Sequence, residues 1–117
     1  MEQIKDRRMH AHLLCAELME VVWCDRFGRE RRCIGNLEDI SVTGLSLQVE
    51  SPVFQGTSVK VLHGTTSLVG VVRHCRYADG VYFIGIQLDD SYRWSTAVFR
   101  PSHLLDPRNV DAGLRVN

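Results

Sequence analysis

The sequence predicts an all-β domain in which six short strands close into an antiparallel barrel. Three observations support this prediction. Apolar and polar residues alternate over several short stretches, and turn-forming residues such as Gly, Asp and Pro separate those stretches. The chain of 117 residues, 44% of them hydrophobic, is long enough for one globular core. Because closure leaves no strand edge unpaired, six consecutive strands joined by turns are expected to form a meander that closes into a small barrel.

The first two strands are expected near residues 16–24 and 29–39. Residues 13–23 also fit the apolar face of a helix, but the run Val21-Val22-Trp23 favours an extended chain. The segment CDRFGR, which contains Gly28, is typical of a hairpin connection. We therefore predict a hairpin at this position.

The third strand is expected over residues 43–50, where the alternation is most regular. One face is apolar and carries Leu45, Leu47 and Val49, whereas the other carries Ser46, Gln48 and Glu50. This pattern is typical of a strand with one buried side.

Three further strands follow the dipeptide Ser51-Pro52, which ends the third strand. They are expected in SVKVL, in TSLVGVVRHCRY and in VYFIGIQL, and Ala78-Asp79-Gly80 predicts a hairpin between the last two. Asp89-Asp90-Ser91 then has the composition of a helix N-cap, so we predict a short helix over residues 89 to about 99, before Pro101. Apolar residues of this segment would pack as a lid on the barrel end or form a contact face; they are Trp94, Val98 and Phe99.

Composition excludes several classes of protein. The chain has 14 Lys and Arg and 14 Asp and Glu residues, so a site for anions has to be local. No apolar run approaches the roughly 18 residues of a membrane span, and the start lacks the apolar core of a signal peptide. We therefore expect a cytoplasmic protein without membrane insertion.

The four cysteines predict neither a disulfide framework nor a metal site. Their spacing contains no C-x-x-C pair, which favours buried, reduced thiols at Cys15, Cys24, Cys33 and Cys75. A metal cluster of His10, His12 and Cys15 with a distant cysteine fits no common zinc pattern. We expect no metal.

Nucleic-acid binding and catalysis are also poorly supported by the sequence. Arg29, Arg31 and Arg32 form a basic strip, but Glu30 interrupts it and no aromatic residues are interleaved with it. A solvated strand face explains this strip better than DNA or RNA binding. Because no nucleophile and base form a recognisable motif, we do not expect an enzyme.

Three segments together resemble the PilZ domain, a bacterial module. They are DRRMHAH at 6–12, DISVTG at 39–44 and GVVRHCRYADGVYFIGIQL at 70–88, so the resemblance covers residues 7 to about 88. It implies a six-stranded antiparallel barrel that serves as a receptor for cyclic di-GMP. The D/N-x-S-x-x-G motif of the family is matched in full by Asp39, Ser41 and Gly44. The R-x-x-x-R motif is matched by Arg7 and Arg8, but His12 stands where the second arginine belongs.

The resemblance implies a role for each matched residue. Arg7 and Arg8 would fork onto phosphate oxygens or stack on the purines. Asp39 would accept hydrogen bonds from the guanine N1–H and N2–H₂, and Ser41 would add a polar contact beside it. Gly44 would permit a positive φ or a close approach of the backbone to the ligand.

Three regions and two alternative functions follow. Residues 1–12 would form a mobile arm with the arginine motif, residues 13–105 the PilZ-like barrel with its helical segment, and residues 106–117 a loose tail. The expected function is a cyclic di-GMP receptor that relays its signal to a protein partner through ordering of the arm. The alternative is a degenerate PilZ adaptor that binds protein without nucleotide, because His12 cannot present a bidentate guanidinium.

Overall fold

The fold is a closed antiparallel barrel of six strands, seen in a computed structural model that describes residues 12–109. The strands are β1 (Leu13–Cys24), β2 (Glu30–Ile40), β3 (Gly44–Val49), β4 (Ser58–His63), β5 (Thr66–Ala78) and β6 (Val81–Leu88). The predicted all-β class, the number of strands and the antiparallel closure are therefore confirmed. The ends of the strands also lie close to the predicted positions, because alternation and turn residues define them locally.

The order of the strands differs from the expected meander. Around the barrel the order is β1-β2-β3-β6-β5-β4, so β3 pairs with β6 and β4 closes the barrel against β1. The connection from β3 to β4 spans residues 50–57, too long for a tight hairpin turn, and it carries the chain past the β5–β6 hairpin. The meander prediction was wrong for this reason.

One apolar core fills the barrel. Leu45, Leu47 and Val49 of β3 are buried while Ser46 and Gln48 between them are partly exposed, as the alternation predicted. The other buried apolar side chains come from every strand and from the segments that follow β3 and β6: Met19, Val21, Trp23, Leu37, Ile40, Val53, Val59, Val61, Leu68, Val72, Ile84, Ile86, Leu88, Trp94 and Phe99. The barrel interior is thus a packed core.

The connections define two ends of the barrel. In an antiparallel barrel, successive connections lie at opposite ends, so the β1–β2 turn is opposite the β2–β3 turn. The end with residues 25–29, 50–57 and 79–80 is called the loop end. The end with the β2–β3 turn, residues 41–43, is called the motif end, because it follows Asp39.

The segment after β6 does not form the predicted helix. One 3-10 turn, Asp90–Tyr92, is followed by extended backbone at Arg93, with φ −68° and ψ 140°. The amide of Trp94 donates a hydrogen bond of 2.9 Å to the carbonyl of Val42, and its indole is buried against the core. A helix this short is only marginally stable by itself. Burial of the indole at the barrel end therefore stabilises the extended backbone more than helix formation would stabilise the predicted helix.

Residues 93–105, called the strap, cover the motif end. The indole Nε1 of Trp94 donates to the carbonyl of Phe99 at 2.8 Å, and both side chains are buried. Leu14 and Leu105 exchange two backbone hydrogen bonds of 2.7 Å. Because β4 pairs with β1 only at residues 20–23, the strap supplies partners for the first part of β1. Packing as a lid is the observed arrangement, although Val98 is exposed.

Glu17 anchors the strap to the barrel wall. Its Oε1 accepts a hydrogen bond of 2.8 Å from the amide of Ser102, and its Oε2 lies 3.0 Å from Nε2 of His63. The His63 ring packs on Phe99 with 4.7 Å between centroids. Hydrogen bonds from Ser102, and to a lesser degree from His63, lower the pKa of Glu17 below its ordinary value near 4.5.

This lowered pKa predicts acid lability of the strap. A carboxyl group with a lowered pKa in the folded state stabilises the fold above its unfolded-state pKa, and that stability is lost as the pH falls through the folded-state value. We expect the melting temperature of the wild type to fall below about pH 4.5 more steeply than that of Glu17→Gln. Thermal melts between pH 3 and 7 test this. Glu50→Gln, an exposed control, should keep the wild-type slope, and equal slopes for Glu17→Gln and the wild type would contradict it.

The cysteines and the arginine strip largely follow their predictions. Cys15, Cys33 and Cys75 are partly buried, but Cys24 is exposed at the end of β1, so the prediction of burial was wrong there. All four cysteines are free thiols. Arg31 and Arg32 lie on an exposed face and pair with acidic neighbours, at 3.6 Å from Asp25 and 2.9 Å from Glu20 and Glu30. Within residues 12–109, no helix is long and apolar enough to cross a membrane.

Candidate functional site

The β2–β3 turn at the motif end holds the D-x-S-x-x-G residues. Asp39 faces outward near the end of β2, with its side chain 26% exposed. Ser41 is only 1% exposed, and its amide donates a hydrogen bond of 2.9 Å to the carbonyl of Gly44. Its hydroxyl also points to that carbonyl, at 3.5 Å. Ser41 therefore stabilises the turn. The sequence had predicted instead that it lies beside Asp39 on the surface.

Gly44 is required by strand packing at this turn. It begins β3, and a Cβ atom built there would lie 2.8 Å from the carbonyl oxygen of Ile86 on β6. Its φ is not positive. The sequence predicted a positive φ at Gly44 or a close approach of its backbone to a ligand. In the structure the close approach is between β3 and β6, which can pair beside the turn because Gly44 has no side chain.

An open groove of about 220 Å³ lies on the outer barrel wall beside this turn. Its lining comes from β3, β5, β6 and the start of the described chain: His12, Ser41, Thr43, Gly44, Leu45, Ser46, Arg73, His74, Gly85, Ile86 and Gln87. Small residues face one another across it, since Ser46 pairs with Gly85 in the β3–β6 ladder. The small side chains at these two positions leave space on the wall for neighbouring groups.

His74 forms one wall of the groove. It is paired with Gly85 across the β5–β6 ladder, and its imidazole lies directly over the position where a side chain of Gly85 would be. His74 is nevertheless exposed. The ring therefore rests with one side against the strand and presents an aromatic surface to solvent, the arrangement on which a base can stack.

Arg73 supplies the cation of the groove. The β5–β6 register shifts between Val72 and His74, and this bulge lets Arg73 and His74 both line the groove although they are adjacent in sequence. The Nε of Arg73 donates to Oε1 of Gln87 at 2.7 Å. This bond uses one of five guanidinium donors, so the others can meet a phosphate.

His12 lies at the other side of the groove, next to Asp39. The two atoms that approach are Nδ1 of His12 and Oδ1 of Asp39, 3.5 Å apart, and the His12 side chain is 63% exposed. Burial, followed by the charges of Asp39 and Glu17, raises the pKa of Cys15 to about 11. Burial and the charge of Asp39 also raise the pKa of Glu38.

The predicted site residues are only partly covered by the structure. Arg7, Arg8 and His10 lie outside the described residues. His12 and Asp39 are brought together, and Ser41 and Gly44 form the turn beside them. The sequence analysis did not assign Arg73, His74 and Gln87 to the site. They lie in the segment 70–88 that resembles the PilZ domain, but the bulge interrupts the alternation of inward and outward side chains there. An Arg-His pair opposite a Gly-Ile-Gln segment was the available signal.

A second and larger groove, of about 490 Å³, lies near the loop end. Leu18 and Ile34, which are exposed apolar side chains of β1 and β2, line it together with Gly35, Glu50 and Val81. It carries one acidic residue and no basic one. This groove is better suited to an apolar partner than to a phosphate.

Searches for metal clusters and for relatives identify none. Among residues 12–109, no three His, Cys, Asp or Glu side chains are placed to hold one metal ion. No model of a known protein family matches the chain, and no curated protein shows significant sequence similarity to it.

Proposed function

We propose that the chain is a PilZ-type receptor of bacterial cytoplasm that binds cyclic di-GMP and relays the signal to a protein partner. The observation that carries this proposal is the groove beside the D-x-S-x-x-G turn. A guanidinium and an aromatic ring, from Arg73 and His74, line this groove. The carboxylate of Asp39 lies next to it, through its contact with His12 and its pairing with Ser46. These are the groups that a guanine nucleotide requires.

The chemistry assigns one task to each group. Asp39 accepts from the guanine N1–H and N2–H₂, a pair of donors that adenine lacks. His74 stacks on the face of the purine, and Arg73 binds a phosphodiester oxygen with the donors that Gln87 does not use. The base thus lies on the outer face of the His74 ring, which covers Gly85, and Ser46 lies beside it.

The size of the groove limits what it holds. Its volume of about 220 Å³ is below the range of about 300–1,000 Å³ for a pocket that encloses a drug-sized ligand. One base and one phosphate therefore occupy the groove, and the remainder of the dinucleotide lies outside it. In this proposal Arg7 and Arg8 bind that remainder, so that the ligand joins the N-terminal segment to the barrel wall.

The contacts around the turn supply a route for the signal. Val42, inside the D-x-S-x-x-G turn, accepts the amide of Trp94, and Leu14, close to His12, is bonded to Leu105. The strap is therefore tied to both sides of the groove. Ligand that fixes the N-terminal segment also fixes the strap. The exposed Val98 of the strap and Tyr92 just before it then present a defined surface to a partner.

Asp39→Ala tests the base reader. We expect it to weaken cyclic di-GMP binding by about ten- to a hundred-fold, because two hydrogen bonds to one carboxylate are lost. The preference for cyclic di-GMP over cyclic di-AMP should fall as well. Calorimetry with both nucleotides measures this, and Glu50→Ala, which removes the same charge from the larger groove, should leave both affinities unchanged. Equal affinity of the wild type for the two nucleotides would remove Asp39 from this role.

Two observations favour the adaptor alternative, in which the chain binds a protein without nucleotide. The larger groove lies near the loop end, away from the D-x-S-x-x-G turn, and His12 already contacts the carboxylate of Asp39. In that case Leu18 and Ile34 form the binding surface. Leu18→Asp would then abolish partner binding, whereas Asp39→Ala would not change it, and calorimetry would detect no cyclic di-GMP binding at high micromolar concentration.

A further inference from the structure

Two phenylalanines at the loop end are the most exposed large hydrophobic residues described. Phe27, in the β1–β2 turn, is 75% exposed, and Phe54, in the connection between β3 and β4, is 71% exposed. Trp23 of β1 pairs with Val59 of β4. The β1–β2 turn, which follows Trp23, and the β3–β4 connection, which precedes Val59, are therefore neighbours at one end of the barrel. Both rings therefore project from the same end.

The β1–β2 turn holds Phe27 outward by its own hydrogen bonds. Oδ1 of Asp25 accepts from the amides of Phe27 and Arg29, at 2.9 and 3.0 Å, and Gly28 adopts a φ of 79° that favours glycine. The carbonyl of Asp25 also accepts from the amide of Gly28 at 2.9 Å. Because the turn backbone is already fixed, little backbone conformational entropy is lost when this ring is bound.

The second connection is fixed in a similar way around Phe54. Val53 is fully buried, and the carbonyl of Phe54 accepts from the amide of Thr57 at 3.1 Å. Gly56, with a φ of 90°, donates its amide to the carbonyl of Val72 on β5 at 2.8 Å. An anchored neighbour and a tight turn thus display the Phe54 ring in solvent.

The charge around Phe27 is positive. The guanidinium of Arg26 lies 5.2 Å from the centroid of the Phe27 ring, and Arg29 is exposed on the same turn. Neither arginine forms a side-chain ion pair with the described residues. The nearby acids are engaged elsewhere, since Asp25 faces Arg31 and its own turn and Glu30 binds Arg32. The turn therefore presents local positive charge although the chain is neutral overall.

We propose that the loop end docks peripherally on an anionic lipid surface through Phe27 and Phe54, with Arg26 and Arg29 at the headgroups. Aromatic rings flanked by arginine suit the membrane interface, where the ring enters the acyl boundary and the cation stays among phosphates. The rings lie in two separate connections of the loop end, so they can enter a lipid surface without matching the shape of a pocket. A protein hot spot, in contrast, fills a pocket of its partner.

Docking at the loop end is independent of the proposed nucleotide site. The groove with Arg73 and His74 lies beside the β2–β3 turn, which is at the opposite end from the β1–β2 turn. A barrel bound through Phe27 and Phe54 therefore keeps the motif end and the strap accessible to ligand and partner. Failure of cyclic di-GMP binding leaves this inference unaffected.

Vesicle co-sedimentation of the full chain tests the inference. We expect binding to phosphatidylcholine vesicles that contain phosphatidylglycerol and little binding to pure phosphatidylcholine. Phe27→Ala with Phe54→Ala should lower the partition coefficient at least about tenfold. Arg26→Gln with Arg29→Gln should lower it about 25-fold on the anionic vesicles, because each arginine near such a surface contributes about fivefold. The matched control is Leu14→Ala with Leu105→Ala, which removes two exposed apolar side chains at the opposite, motif end and should leave binding unchanged.

Three results would overturn the inference. The first is no binding of the wild type to anionic vesicles at low salt. The second is equal loss in the Phe27/Phe54 double variant and in the Leu14/Leu105 control. The third is loss only on Arg7→Gln with Arg8→Gln, which would move lipid binding to the N-terminal segment. Since Phe27 and Phe54 are more than two-thirds exposed, the Phe27/Phe54 double variant should melt at the wild-type temperature. This melt shows that a loss of vesicle binding is not caused by unfolding.

Discussion

Trp94→Ala is expected to lower the free energy of unfolding by about 3–5 kcal/mol, because removal of a large buried side chain leaves a cavity in the core. The indole is buried at the motif end, and its Nε1 donates to the carbonyl of Phe99 at 2.8 Å. Truncation leaves that buried carbonyl without its donor and detaches Phe99 from the barrel. Chemical denaturation followed by circular dichroism measures the change.

Tyr92→Ala is the matched control for this variant. Tyr92 lies two residues before Trp94 in the 3-10 turn, and its side chain is exposed, so its truncation should change stability by less than about 0.5 kcal/mol. Equal effects of the two substitutions would show that the strap is not held by the indole. Trp94→Phe should recover about half of the loss, since it restores the apolar volume but not the hydrogen bond.

The six strands were predictable because their signals are local. In β3, Leu45, Leu47 and Val49 alternate with polar residues, and the buried and exposed faces follow directly from a period of two. The hairpin signal at Asp79 and Gly80 was also sufficient, and both residues have the positive φ that such a turn requires. Signals of this kind depend on neighbours in sequence and not on the rest of the fold.

The order of the strands and the form of the strap could not be predicted in this way. Pairing of β3 with β6 and of β4 with β1 joins segments distant in sequence, and alternation does not specify which partner a strand takes. The predicted helix failed for a related reason. Its cap residues were present, but the contacts of Trp94 with Val42 and Phe99, both outside the range of local propensity, determine an extended strap.

The placement of the predicted site residues differs from the sequence expectation in part. The side chain of Asp39 is partly exposed near the end of β2, but Ser41 turns inward to the carbonyl of Gly44. Arg73 and His74 line the groove together only because the β5–β6 register shifts at that point. A strict alternation would have put one of the two into the core, so the bulge had to be seen before both could be assigned to the site.

His12→Arg is expected to tighten cyclic di-GMP binding by about ten- to a hundred-fold, because it restores a charge-assisted, bidentate contact worth about 1.5–3 kcal/mol. His12 borders the groove, and its Nδ1 lies 3.5 Å from Oδ1 of Asp39. A side chain at position 12 is therefore next to the carboxylate that is proposed to bind guanine. A longer guanidinium extends past Asp39 towards the phosphates. The gain should shrink with added salt, because part of it is attraction between exposed charges.

Thr65→Arg distinguishes this contact from a general effect of charge. It adds the same positive charge at the exposed β4–β5 turn, outside the groove, so it should change the affinity by less than about twofold at moderate salt. Calorimetry on the wild type and the two variants at two salt concentrations is sufficient. If His12→Arg binds no nucleotide at high micromolar concentration, the defect lies beyond position 12. The closed barrel would then act without nucleotide, and Leu18 and Ile34 on its wall would become the residues to test for a protein partner.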